Sequence, residues 1–144
     1  FNLGSFLLLT NHHPRTAFLH GSLCCLARAL EGLLSADHQI EHIRNHFGAG
    51  LTDLSWIEIL SQEGEWIILS GDRRISRNRA ELAAFRSSSL IGFFLCRTLT
   101  RKPVRQQLIR ILTIWDQIEA QARLVQPGAM FEIPERSGKF RSIG

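Results

Sequence analysis

Two short runs, Trp66-Ile67-Ile68-Leu69 and Leu90-Ile91-Gly92-Phe93-Phe94-Leu95, place no polar side chain at alternate positions. A strand with one wet face alternates apolar and polar residues. A strand with no wet face must be covered on both sides, as happens in parallel sheets layered between helices. The first run ends in Ser70-Gly71-Asp72 and turns at once into Arg73-Arg74. A carboxylate at the mouth of a buried strand is costly unless it is paired or holds a cation.

The pattern around these runs alternates between the two periods. Thr16–His20 reads as a short strand, followed by a helix over 21–34 with Leu23, Leu26, Ala27, Leu30 and Leu33/Leu34 at helical spacing. Residues 38–43 alternate as a strand, and 47–52 read as a loop. Thr52 or Asp53 can cap the next helix, in which Trp56, Ile59 and Leu60 share a face. A helix is predicted over 79–87, a long one over 103–125 opened by Pro103, and a last strand over 129–134. The apolar stripe of the long helix is Leu108, Ile111, Leu112, Trp115, Ile118, Ala122 and Val125. Strand–helix alternation of this kind predicts an α/β fold, a mostly parallel central sheet flanked by helices. With 144 residues, 44% hydrophobic, the chain suits one such domain over 16–144, with residues 1–15 as an extension.

Several function classes are disfavoured. No GxGxxG, GxxxxGK[ST] or GxSxG motif occurs, which argues against a dinucleotide enzyme, a P-loop enzyme and a serine hydrolase. The acidic pair and lysine of a phosphorelay receiver are also missing. Three cysteines, Cys24, Cys25 and Cys96, lack disulfide or metal spacing and suit a reducing cytoplasm. The apolar stretch 1–9 is too short to span a bilayer, so no membrane is expected. A net charge of +4 is compatible with a nucleic-acid partner without requiring one.

Sites in open α/β sheets form at the carboxyl ends of strands. His20 ends the first predicted strand, Asp53 opens a helix, and Asp72 ends the third strand. Asp53 and Asp72 are 19 positions apart, one helix out and one strand back, which returns both to the same sheet edge. Two carboxylates there would suit a hard cation such as Mg²⁺ or Mn²⁺. Each also has an ordinary reading: Asp53 as a helix cap, Asp72 as a turn residue or a partner of Arg73 or Arg74. The residues alone leave both readings open.

The stretch "LTDLSWIEILSQEGEWIILSGDRRISRNRAELAAF" resembles the core of PIN-like domains of the VapC type, the toxin ribonucleases of bacterial toxin–antitoxin pairs. The likeness lies in an Asp with Trp three positions on, then "WIILSGDRRI", then Glu81 nine residues after Asp72. "HQIEHIRNHFGAG", "LIGFFL" and the late "QPGAMFEIP" extend it over about residues 16–143. The resemblance implies a metal-dependent endoribonuclease with Asp72 and Asp53 as ligands of Mg²⁺ or Mn²⁺. Glu81 would line the site or tether its helix. An RNA substrate, a cognate antitoxin and a homodimer would be the partners. One position departs from the family pattern. An Asp is expected at the end of the first strand, where Phe18-Leu19-His20-Gly21-Ser22-Leu23 places His20. Imidazole removes a charge and a favoured Mg²⁺ ligand, although it can still bind Mn²⁺. The alternative is therefore a PIN-like protein without catalysis that binds RNA or a protein.

Arg73, Arg74 and Arg77 could guide an RNA backbone, or simply form a solvated face. Arg97, Arg101, Lys102 and Arg105 make a second basic run with the same two readings. Aromatic base-stacking has little support, since the chain has no Tyr and its Phe residues sit mostly in apolar runs. His38, His42 and His46 recur every four residues and are expected at the surface, His46 in a loop.

Overall fold

A computed structural model describes residues 15–18, 23–34, 36, 38–48, 50–64 and 66–144. Six strands form one sheet: β1 (Arg15–Phe18), β2 (Gln39–His42), β3 (Ile67–Ser70), β4 (Ile91–Leu95), β5 (Met130–Ile133) and β6 (Arg141–Ser142). Their order is β2-β1-β3-β4-β5-β6, with every pairing parallel except β5 with the short β6. The helices are α1 (Leu23–Leu34), α2 (Ile43–Phe47), α3 (Asp53–Glu63), α4 (Arg79–Arg86), α5 (Arg97–Thr100), α6 (Val104–Thr113) and α7 (Trp115–Leu124). The fold is α/β, as the alternating pattern predicts.

The unbroken apolar runs are explained by two separate cores. Ile67 and Leu69 of β3, with Ile91, Phe93 and Leu95 of β4, face α1, α6 and α7. Trp66, Ile68 and Phe94 face the other way, against Trp56, Ile57 and Leu60 of α3 and Phe85 of α4. Both faces of β3 and β4 are buried along their whole length. Gly92 is required there, because a Cβ would stand 2.7 Å from the Phe94 ring and 3.0 Å from that of Phe85. Among the described residues no helix is long and apolar enough to cross a membrane.

Some local expectations need correction. The helix predicted over 103–125 is two helices, broken at Ile114 (φ −107°, ψ 11°). The Thr113 hydroxyl donates to the Ile109 carbonyl at 2.6 Å, a back-bond that bends helices. The break keeps Ile111, Ile114, Trp115 and Ile118 buried on the sheet. On α3 the buried stripe is Trp56, Ile57 and Leu60, whereas Ile59 is exposed. Thr52, not Asp53, is the cap: its hydroxyl accepts from the Ser55 N–H at 3.3 Å.

The histidines are not all at the surface. His42 is buried beside Ile40 on the inward face of β2. His38 is half-buried, bonded to Glu119 and packed edge-on to Trp115. His46 lies in α2 rather than a loop, between Glu41 and Glu63. The antiparallel β6 was not expected either; two residues carry too little pattern to be read.

Candidate active site

The chain leaves β1 toward β2 on one side and returns to β3 on the other, so the strand order reverses between β1 and β3. That crevice, at the carboxyl ends of the strands, is where ligands bind in open α/β sheets. Asp72 emerges there, two residues beyond β3. The buried Ser70 fixes the turn: its hydroxyl accepts from the Asp72 N–H at 2.9 Å and donates to the Asp72 carbonyl at 3.0 Å.

Both carboxylate oxygens of Asp72 are engaged by Arg74. Oδ1 accepts from the Arg74 backbone N–H at 2.9 Å, and Oδ2 accepts from Nε at 2.7 Å and pairs with Nη2. A 3₁₀ turn over Arg74–Ser76 follows, pinned by Ile75 in the core. The hydrogen bond to Asp72 raises the Arg74 pKa above its ordinary value. Burial opposes this, and the charges of Asp72, Asp53 and Glu81 add to it.

Asp53 opens α3 and is held by its own helix. Its Oδ1 accepts from the indole N–H of the fully buried Trp56 at 2.9 Å. The Asp-x-x-Trp spacing is one helical turn, so the tryptophan that anchors α3 also orients the carboxylate. Glu81 lies in the first turn of α4, whose cap Asn78 accepts from the N–H groups of Ala80 and Glu81. Its carboxyl is pushed above the usual range by burial first and then by the charge of Asp53. Arg74 opposes the rise, and Asp72 adds to it. Three acids from three elements therefore share one electrostatic neighbourhood, with the Arg74 guanidinium among them.

His20 lies outside the described residues. Among the described residues, no three His, Cys, Asp or Glu side chains come close enough together to hold a metal ion. Asp53 and Asp72 offer hard oxygen donors, but both oxygens of Asp72 are already taken by Arg74. With His20 outside the described residues, Asp53 and Asp72 could hold Mg²⁺ or Mn²⁺ only once Arg74 releases Asp72.

The arginines expected to face RNA have separate placements. Arg74 belongs to Asp72, Arg77 is exposed at the end of the 3₁₀ turn, and Arg73 reaches the buried Glu132 of β5. Glu132 also holds Arg141. Sequence reasoning missed Glu132, although a lone carboxylate inside the apolar "AMFEIP" was the signal available.

A family model described as a PIN like domain matches residues 21–97, more than half of the chain. The matched stretch contains Asp53, Asp72 and Glu81. Comparisons with curated proteins and with solved structures found no match.

Proposed function

The chain belongs to the PIN-like domain family, and from that premise we propose that it is a ribonuclease working at the carboxyl edge of its sheet. What supports this reading is Asp72 at the strand-order reversal, held by Arg74, with the charges of Asp53 and Glu81 also acting on that guanidinium. Cleavage of a phosphodiester requires a positioned nucleophile and compensation for charge developing on the phosphoryl oxygens. Carboxylates fixed by Trp56 and by the Ser70 turn are oriented before substrate arrives. Dependence on Mg²⁺ or Mn²⁺ is part of the proposal. It requires Arg74 to give up Asp72, after which the guanidinium is available to a phosphate.

In its finer form the reading makes the protein the toxin of a toxin–antitoxin pair, cytoplasmic and dimeric, with an antitoxin covering the acidic edge. That form rests on the resemblance over about residues 16–143, most specific at 66–81.

A second reading has its own support. With Asp72 closed by Arg74, and His20 where an Asp is expected, the protein would be a PIN-like RNA or protein binder without catalysis. Incubation of purified protein with a mixed RNA pool, in Mg²⁺, Mn²⁺ or chelator, separates the two. Metal-dependent cuts by the parent support the ribonuclease. Cuts by His20→Asp alone support the binder, and silence from both removes the ribonuclease reading.

A further inference from the structure

Glu132 is a carboxylate on a strand, with only 6% of its side chain exposed. Burial of one carboxylate calls for one counter-charge. Here there are two: Arg73 from the connection after β3 and Arg141 from β6, with 37% and 77% of their side chains exposed. One anion between two guanidiniums leaves a surplus positive charge, and both cations keep part of their surface toward solvent.

The sheet register locates this group. Ser70 of β3 is opposite Phe94 of β4, Phe94 opposite Glu132 of β5, and Glu132 opposite Arg141 of β6. The ion group therefore stands at the level where Asp72 leaves the sheet. It is displaced sideways by about two strand spacings, roughly 10 Å. A nucleic-acid backbone carries one phosphate per about 3.4 Å of axis on each strand, so a chain lying across this edge would reach from the acids to the arginines within a few nucleotides.

We propose that Arg73 and Arg141, held by the buried Glu132, form a phosphate-binding subsite that positions an RNA backbone beside Asp53 and Asp72. The inference rests on the ribonuclease or RNA-binding reading above and adds the residues that carry the strand past the acids. Glu132 acts through the two arginines as a positioning residue. Their planar forks retain donor capacity for a phosphodiester while one side is fixed by the carboxylate.

The test is binding of a short fluorescein-labelled single-stranded RNA, read by anisotropy over a salt series in chelator, so that no cleavage intervenes. Arg141→Gln is expected to weaken binding by about fivefold at low salt and to flatten the slope of log K against log salt by about 0.7. Its exposed side chain makes it the variant that keeps the fold. Arg73→Gln should act in the same direction and serves as the second variant. Arg105→Gln, on the other basic run, should leave the slope unchanged. The proposal is overturned if the parent binds no RNA, if Arg141→Gln keeps the parental slope, or if Arg105→Gln loses as much. An unchanged slope in Arg141→Gln, with metal-dependent cuts by the parent in the RNA-pool assay, would remove the subsite and leave the ribonuclease reading standing; the expected slope change with no cuts in that assay would do the reverse.

Discussion

Replacing Arg74 with Gln should lower stability without a divalent cation and make almost no difference once a cation fills the site. The side chain donates to Asp72 through Nε at 2.7 Å and pairs through Nη2, while the backbone N–H bond at 2.9 Å to the other oxygen survives the substitution. Arg74 has 55% of its side chain exposed, so solvent screens the pair. Its loss should cost only about 0.5–1 kcal/mol, lowering Tm by about 1–4 °C for a chain of this size. The same change removes the resident cation from among Asp53, Asp72 and Glu81. In the parent a metal ion must first displace the guanidinium, which weakens its affinity by roughly two- to fivefold if the pair is worth that much. In Arg74→Gln, Mn²⁺ at about 100 times its Kd should return about 2.7 kcal/mol, against about 1.8–2.3 kcal/mol in the parent at the same concentration, which closes the deficit. Melts followed by fluorescence of the buried Trp56, Trp66 and Trp115 across a MnCl₂ titration read both effects. Equal Mn²⁺ gains in parent and variant would refute the reasoning, as would a gain that survives in Arg74→Gln combined with Asp72→Asn.

Gly128 has φ +86°, its N–H donates to the Leu90 carbonyl, and a Cβ would lie 2.1 Å from the Arg86 carbonyl oxygen. Gly128→Ala should therefore destabilise by about 3 kcal/mol, measurable in urea titrations. Ionised Glu81 costs stability because its folded pKa is raised. The stability associated with its protonated form is complete below the ordinary value of 4.5 and is lost as pH rises through the higher folded value. Glu81→Gln should accordingly gain over the parent at about pH 7 and lose that gain near about pH 4, a comparison that melts at the two pH values can make. Glu119 accepts from the Trp115 indole at 2.9 Å and bonds His38. Glu119→Ala should cost about 2 kcal/mol, whereas Arg123→Ala, which removes an exposed 3.8 Å contact to the same carboxylate, should cost under about 0.5 kcal/mol by the same titration.

The legible features were those fixed locally. The runs at 66–70 and 90–95 have no wet face, and both cores close over them. The Asp53–Trp56 spacing is one turn of helix, so the carboxylate's orientation is already present in four residues. The 19-position return from Asp53 to Asp72 predicted a shared neighbourhood, and the charges of both acids act on Arg74. What the sequence could not settle depends on residues distant in the chain. Nothing local to "QIEH" says that His42 faces inward, and His38 meets Glu119 across a separation of 81 positions. The break at Ile114 accompanies the Thr113 back-bond and the burial of Ile111, Ile114, Trp115 and Ile118, which a helical periodicity over 103–125 cannot reveal. Arg73 and Arg74 look alike in sequence, yet one is held by Glu132 and the other by Asp72.

The most direct test of the central claim is a double-substitution cycle on RNA cleavage with Asp53→Asn, Asp72→Asn and the pair, run in whichever background cleaves, parent or His20→Asp. If the two carboxylates serve one reaction centre, each single change should abolish nearly all cleavage, and the pair should be no worse than either alone. Independent, additive losses, or full activity in either single variant, would contradict the account.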